Sequence, residues 1–184
     1  MPVPVQINRR DDLDDLPVAA ELVTLAPKVE RLLDRWPAAR PFVVAGSLSI
    51  IAGGICAAVT RPTHFELGSW LAAFLVLVGG VATIVLGGGQ AWMADVAPPP
   101  RAVHAELAAW TVGVAGTIAG SLAAVPILTT VGAVPFVVAL ALFLRGVRQP
   151  AVGPRWPLLV YRALTVVVLV STPVGVVLAW VRHG

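Results

Sequence analysis

The sequence predicts an all-α protein: a polytopic transmembrane helix bundle of five spans, N-terminus inside and C-terminus outside, preceded by a cytoplasmic amphipathic helix. Three observations predict it. Only 12% of the 184 residues are charged and 58% are hydrophobic, whereas a soluble domain carries roughly 25% charged residues. Long stretches have no charge at all, and the mean hydropathy is +0.87. The arginines beyond the N-terminal tail lie at the ends of those stretches rather than inside them. A water-soluble fold has no way to hide this much apolar surface, so the bilayer is the natural solvent.

The chain divides into a charged segment, 1–40, and a transmembrane segment, 41–184. The run Arg9–Asp15 reads as a solvated charge cluster. Over 18–36, Leu22, Leu25, Val29, Leu32, Leu33 and Trp36 recur at helical spacing, with Glu21, Lys28, Glu30, Arg31, Asp34 and Arg35 between them. That pattern predicts an amphipathic helix on the membrane surface or packed on protein, weakened early on by Pro27. The first long apolar stretch begins only at Phe42, so no secretory leader is expected.

Spans are expected at about 42–60, 69–90, 107–127, 130–145 and 157–181. The uncharged stretch Leu107–Leu144 decides their number. As a single helix it would be about 57 Å long, against a hydrocarbon core of about 30 Å. Two spans fit better, with the turn drawn from Pro126, Thr129, Thr130, Gly132 and Pro135, the last in the first turn of the second helix. Arginine placement agrees. Five spans put the tail bases with Arg101, Arg145, Arg148, Arg155 and Arg162 on the cytoplasmic side, leaving Arg61 and Arg182 outside. Four spans would move the group from Arg145 to Arg162 outside. Trp70, Trp92, Trp110, Trp156 and Trp180 fall near the span ends, as an interfacial aromatic belt requires.

Composition excludes several functions. No dense basic stripe interleaved with aromatics exists, so nucleic acid is not an expected partner. Cys56 is alone, so no internal disulfide forms. No acid, base or histidine falls in the interior of an expected span, Arg162 being expected to snorkel to the interface, which counts against a proton-coupled pump and against haem between helices. His64, His104 and His183 lie at or beyond span ends, and no metal site or cofactor is expected. Ser47, Ser49 and Ser121 have no neighbouring base, and Gly87-Gly88-Gly89 lacks the Lys-Ser/Thr ending of a phosphate loop.

Three groups of residues stand out. Ala45, Ser49, Gly53 and Ala57 in the first span, with Ala109, Gly113, Gly116, Gly120 and Ala124 in the third, are small residues spaced for close helix packing, inside the protein or against a partner. Ser171 and Thr172 before Pro173, together with Gln90, mark a possible polar path, although such hydroxyls commonly bond their own backbone. Asp95, Arg101, His104 and Glu106 form a possible interfacial acid–base cluster in a loop stiffened by Pro98-Pro99-Pro100. The expected function is a non-catalytic accessory, assembly or scaffold subunit of a bacterial plasma-membrane complex. The bacterial source is a compositional hint, since all basic residues but Lys28 are arginine. Its expected partners are the lipid bilayer and other membrane subunits or itself. A small oligomeric transporter or channel is the alternative, and an interfacial lipid-acting enzyme the third reading.

Overall fold

The computed structural model describes residues 17–94, 96–147 and 156–183. They form five helices: α1 (Pro17–Thr63), α2 (Gly68–Met93), α3 (Pro100–Leu122), α4 (Pro126–Gly146) and α5 (Trp156–His183). Each contains a stretch long and apolar enough to cross a membrane, as a multi-pass membrane protein requires. The 1–16 tail, Asp95, Arg148 and Arg155 lie outside the described residues.

The chain separates into two compact units, Met1–Trp36 and Pro37–Gly184. In the first, the described residues of the expected amphipathic helix are helical, and Leu25, Val29, Leu32, Leu33 and Trp36 are exposed. The helix does not stop where the first span was expected to begin. α1 is continuous through Pro27, Pro37 and Pro41. Each proline removes one backbone donor, and the helix continues past all three.

The second unit is an antiparallel helix bundle, and its register shows in the side-chain contacts. Thr83 of α2 meets Trp110 of α3, and Gln90 meets Glu106, so the two helices run in opposite directions. Thr130 of α4 meets Trp180 of α5, while Val147 meets Arg162. The core is aromatic and aliphatic. Phe42, Trp110, Leu140 and Phe143 are among its largest fully buried side chains. Phe42 meets Phe143 edge-on at 5.7 Å, and Trp110 stacks on Phe136 at 4.4 Å.

The turn between α3 and α4 lies at Ala123–Val125, earlier than expected. Ala124 takes a left-handed conformation, with φ 54°, and Val125 N–H donates to Gly120 O at 3.0 Å. This six-to-one closure normally uses glycine. Pro126, not Pro135, occupies the first turn of α4, and Pro135 lies inside that helix. The α1–α2 turn repeats the device with His64, φ 51°, and a Phe65 N–H to Thr60 O bond of 3.2 Å.

The small residues pack internally. A Cβ on Gly113 would meet Phe136 N at 2.8 Å, one on Gly116 would meet Gly132 Cα at 2.7 Å, and one on Gly120 would meet the Thr129 backbone. These glycines form one face of α3, occupied by α4. On α1, Gly53 lies against the Ala72 carbonyl and Ser49 lies 3.2 Å from a Cβ placed on Gly79, so α2 fills that row. Ala57, by contrast, is exposed and Ala45 half-buried.

Two further expectations change. Trp110 is buried in the core and is not part of an interfacial belt, whereas Trp70, Trp92, Trp156 and Trp180 are exposed. The segment before Leu107 is helix rather than loop. Pro99 is extended and Pro100 begins α3, so Arg101, His104 and Glu106 all stand on that helix. The prolines, rather than the charged residue before Leu107, set the helix start.

Candidate binding cleft and buried polar centre

Two sites emerge at opposite ends of the same helices. The first is a cleft of about 490 Å³ between α2, α3, α4 and α5. Antiparallel packing brings together the start of α2 (Trp70, Phe74), the end of α3 (Thr117, Ser121), the start of α4 (Pro126, Thr129) and the later part of α5 (Ser171, Thr172, Gly175). Trp70 stacks on Phe74 at 5.3 Å to form an aromatic wall, and Phe136 forms a second. The volume lies within the range of pockets that hold small molecules, about 300–1,000 Å³.

The hydroxyls that line the cleft mostly donate to their own helices. Thr117 Oγ1 donates to Gly113 O at 2.9 Å, and Thr172 Oγ1 to Val168 O at 2.9 Å. Ser171 Oγ donates to the same Val168 carbonyl at 2.8 Å. Back-bonding of this kind leaves the oxygen lone pairs as acceptors at the cleft wall. Thr129 differs: its residue is 6% exposed, and its Oγ1 has no hydrogen-bond partner. The cleft therefore suits an apolar body carrying one or two polar groups.

The second site is a buried polar centre. Glu106 and Gln90 are 4% and 2% exposed, and Gln90 Nε2 donates to Glu106 Oε1 at 3.0 Å. The helix ends that frame the pair belong to α2, α3, α4 and α5. Gly146, at the end of α4, has no side chain, and a Cβ there would collide with the Gln90 amide. The Tyr161 hydroxyl donates to Leu86 O at 3.0 Å, fixing the start of α5 against α2. Above the pair, Trp110 Nε1 donates to Thr83 Oγ1 at 2.6 Å, and Thr83 Oγ1 donates to Gly79 O at 2.6 Å.

Much of α2 near these contacts is π-helical, over Leu75–Ala82 and Ile84–Gly88. Such turns are rare and concentrate at functional sites. Five glycines, Gly79, Gly80, Gly87, Gly88 and Gly89, fall within or beside the two segments and permit the wider backbone path.

Of the residues singled out in the sequence, Ser171 and Thr172 do line a shared space, but Gln90 belongs to the other site. Arg101 and His104 are exposed on α3 while Glu106 points into the core, so these three do not form one interfacial cluster. Pro173 lies within a continuous α5. Glu106 as a partner of Gln90, Trp110 as a core residue, Thr129 and Gly146 were not anticipated. For Glu106, Trp110 and Thr129 the one sequence signal is a polar group beside an apolar run, which a span boundary explains equally well; Gly146 carries none. Among the described residues, no three of His, Cys, Asp or Glu stand close enough to hold a metal ion. Compared with protein families, with curated proteins and with solved structures, the chain matches none of them.

Proposed function

We propose that this chain is a non-catalytic integral membrane protein of a bacterial plasma membrane, an accessory subunit that works by holding a bilayer-soluble molecule in the cleft between α2, α3, α4 and α5. The observation that carries this reading is the lining. Aromatic walls and a row of hydroxyl oxygens share one space of about 490 Å³, a combination suited to an amphiphile with a mainly apolar body. The helix ends support the orientation. Arg101, Arg145 and Arg162 stand at the end of the bundle that holds Glu106, and Arg61 stands at the other. With the arginine-rich end cytoplasmic, the cleft belongs to the outer half of the membrane. The N-terminal helix is then cytoplasmic, and its exposed apolar residues are available to the membrane surface or to a partner subunit.

Gly175→Phe provides a direct test. Gly175 lines the cleft, and a Cβ there meets nothing within 4 Å, so an aromatic ring fills the space without displacing backbone. Protein purified in mild detergent should carry a tightly held amphiphilic molecule, seen by mass spectrometry of solvent extracts. Occupancy should drop about tenfold in Gly175→Phe, which requires the loss of at least about 1.4 kcal/mol of binding, the value of a tenfold change in Kd, while the melting temperature holds. Equal retention by both proteins, or an empty wild-type cleft, contradicts the proposal.

A further inference from the structure

The buried pair at the opposite end of the bundle has no part in holding a molecule in the cleft. Gln90 Oε1 and Glu106 Oε2 are both buried acceptors without a donor. The neighbouring donors are already committed: Trp110 Nε1 to Thr83, and the Tyr161 hydroxyl to Leu86 O. Tyr161 lies within electrostatic range of Glu106. Arg101 and His104 on α3 and Arg145 on α4 are exposed. Arg162 on α5 donates to Val147 O at 3.0 Å. Among the described residues no cation pairs with Glu106, whose hydrogen-bond partner is the Gln90 amide.

A bare carboxylate in this setting would carry an uncompensated charge away from water, at a cost of several kcal/mol. It would also leave two acceptors facing each other's amide or acid group with one hydrogen between them. A single proton removes both problems. On Glu106 Oε2 it neutralises the charge and supplies a donor for Gln90 Oε1, and the existing Nε2–H bond to Oε1 completes an acid–amide pair. We propose that Glu106 and Gln90 form a buried proton-binding site, in which Glu106 is the neutral carboxylic acid and shares its O–H with Gln90. Gly146 is part of the site, because the room for the Gln90 amide exists only where residue 146 has no Cβ. Glu106 lies in the second turn of α3, near the exposed Arg101 and His104. A proton therefore has a short route to water at that end of the bundle. Buried ionisable groups at membrane depth commonly serve proton transfer, and this site gives the protein a second ligand besides the occupant of the cleft.

Infrared spectroscopy of the full-length protein in mild detergent at neutral pH tests this directly. A neutral carboxylic acid has its own C=O band, separate from the carboxylate bands. The expected result is an acid band equivalent to one group per chain, absent in Glu106→Gln and shifted in Gln90→Leu, where its hydrogen-bond partner is gone. Glu106→Gln replaces the acid with an amide that pairs equally well, and it should melt as the wild type does. If Glu106→Gln does not fold, the wild-type band and its shift in Gln90→Leu still decide the matter. A wild-type spectrum with no acid band overturns the proposal, as does an acid band that is unchanged in both variants. A melting temperature that rises with sodium in the absence of an acid band assigns the site to a metal cation and overturns it as well.

Discussion

Gly132→Leu should abolish the folded state. A Cβ at position 132 would meet Gly116 C at 2.6 Å and Thr117 N at 2.8 Å, both backbone atoms that no rotamer change can move. Gly116 is the reciprocal contact: a Cβ placed there would lie 2.7 Å from the Gly132 Cα. In lipid, helices gain little from the hydrophobic effect on meeting one another, so this backbone proximity supplies much of their attraction. Forcing α3 and α4 apart would also separate Gly113 from Phe136 and Gly120 from Thr129, the contacts on either side. Overpacking of a well-filled interior costs about 1–3 kcal/mol, and a backbone clash at the centre of a helix pair belongs at or above the top of that range. Purified Gly132→Leu should be aggregated in mild detergent or lose its cooperative melt. Gly54→Leu is the control: a Cβ at Gly54 meets nothing within 4 Å, and that variant should melt close to the wild type.

Trp110→Ala should be nearly as damaging, by a different route. Trp110 is 1% exposed, stacks on Phe136 at 4.4 Å and lies 5.7 Å from Phe143. Its removal opens a cavity among α2, α3 and α4 and withdraws the hydrogen bond to Thr83. Truncation of a buried tryptophan costs about 3–5 kcal/mol. Trp110→Phe keeps most of the packing and loses the Nε1–H bond, and interhelical hydrogen bonds in membranes are worth roughly 0.6–2 kcal/mol. Unfolding by titrated denaturing detergent should therefore rank the wild type above Trp110→Phe and Trp110→Phe well above Trp110→Ala. Because Phe136 also lines the cleft, Trp110→Ala should also weaken retention of the proposed cleft occupant. Equal stability of all three proteins would show that this aromatic group does not hold the bundle together.

The number of helices was legible because lipid-facing segments must be long and uncharged. Leu107–Leu144 is too long for one crossing, and the split into α3 and α4 followed from that length alone. Where it splits was not legible. Ala124 adopts a left-handed conformation usually left to glycine, so no turn residue marks it, and Gly132 looked like the turn when it is the contact for Gly116. The interior position of Glu106 was hidden for a related reason. Charge was the criterion for ending a span, yet α3 begins at Pro100 and carries Glu106 inward. Spacing identified Gly113, Gly116 and Gly120 as packing residues, but only the fold shows that α4 occupies them. Likewise, Ser171 and Thr172 were visible as polar points in an apolar helix. That Thr117, Ser121 and Thr129 converge on the same space depends on the antiparallel register of three other helices.

Impermeant thiol labelling on intact cells tests the crossing pattern on which the account rests. In a Cys56→Ser background, single cysteines would be placed at Glu66, Val96, Ala123, Trp156 and Val181, each at or near a helix end and exposed. An odd number of crossings with the arginine-rich end inside predicts labelling at Glu66→Cys, Ala123→Cys and Val181→Cys, with Val96→Cys and Trp156→Cys reacting only after the membrane is opened. Labelling of Trp156→Cys from outside together with Glu66→Cys would contradict five crossings and the placement of the Trp156 end of α5 on the cytoplasmic side.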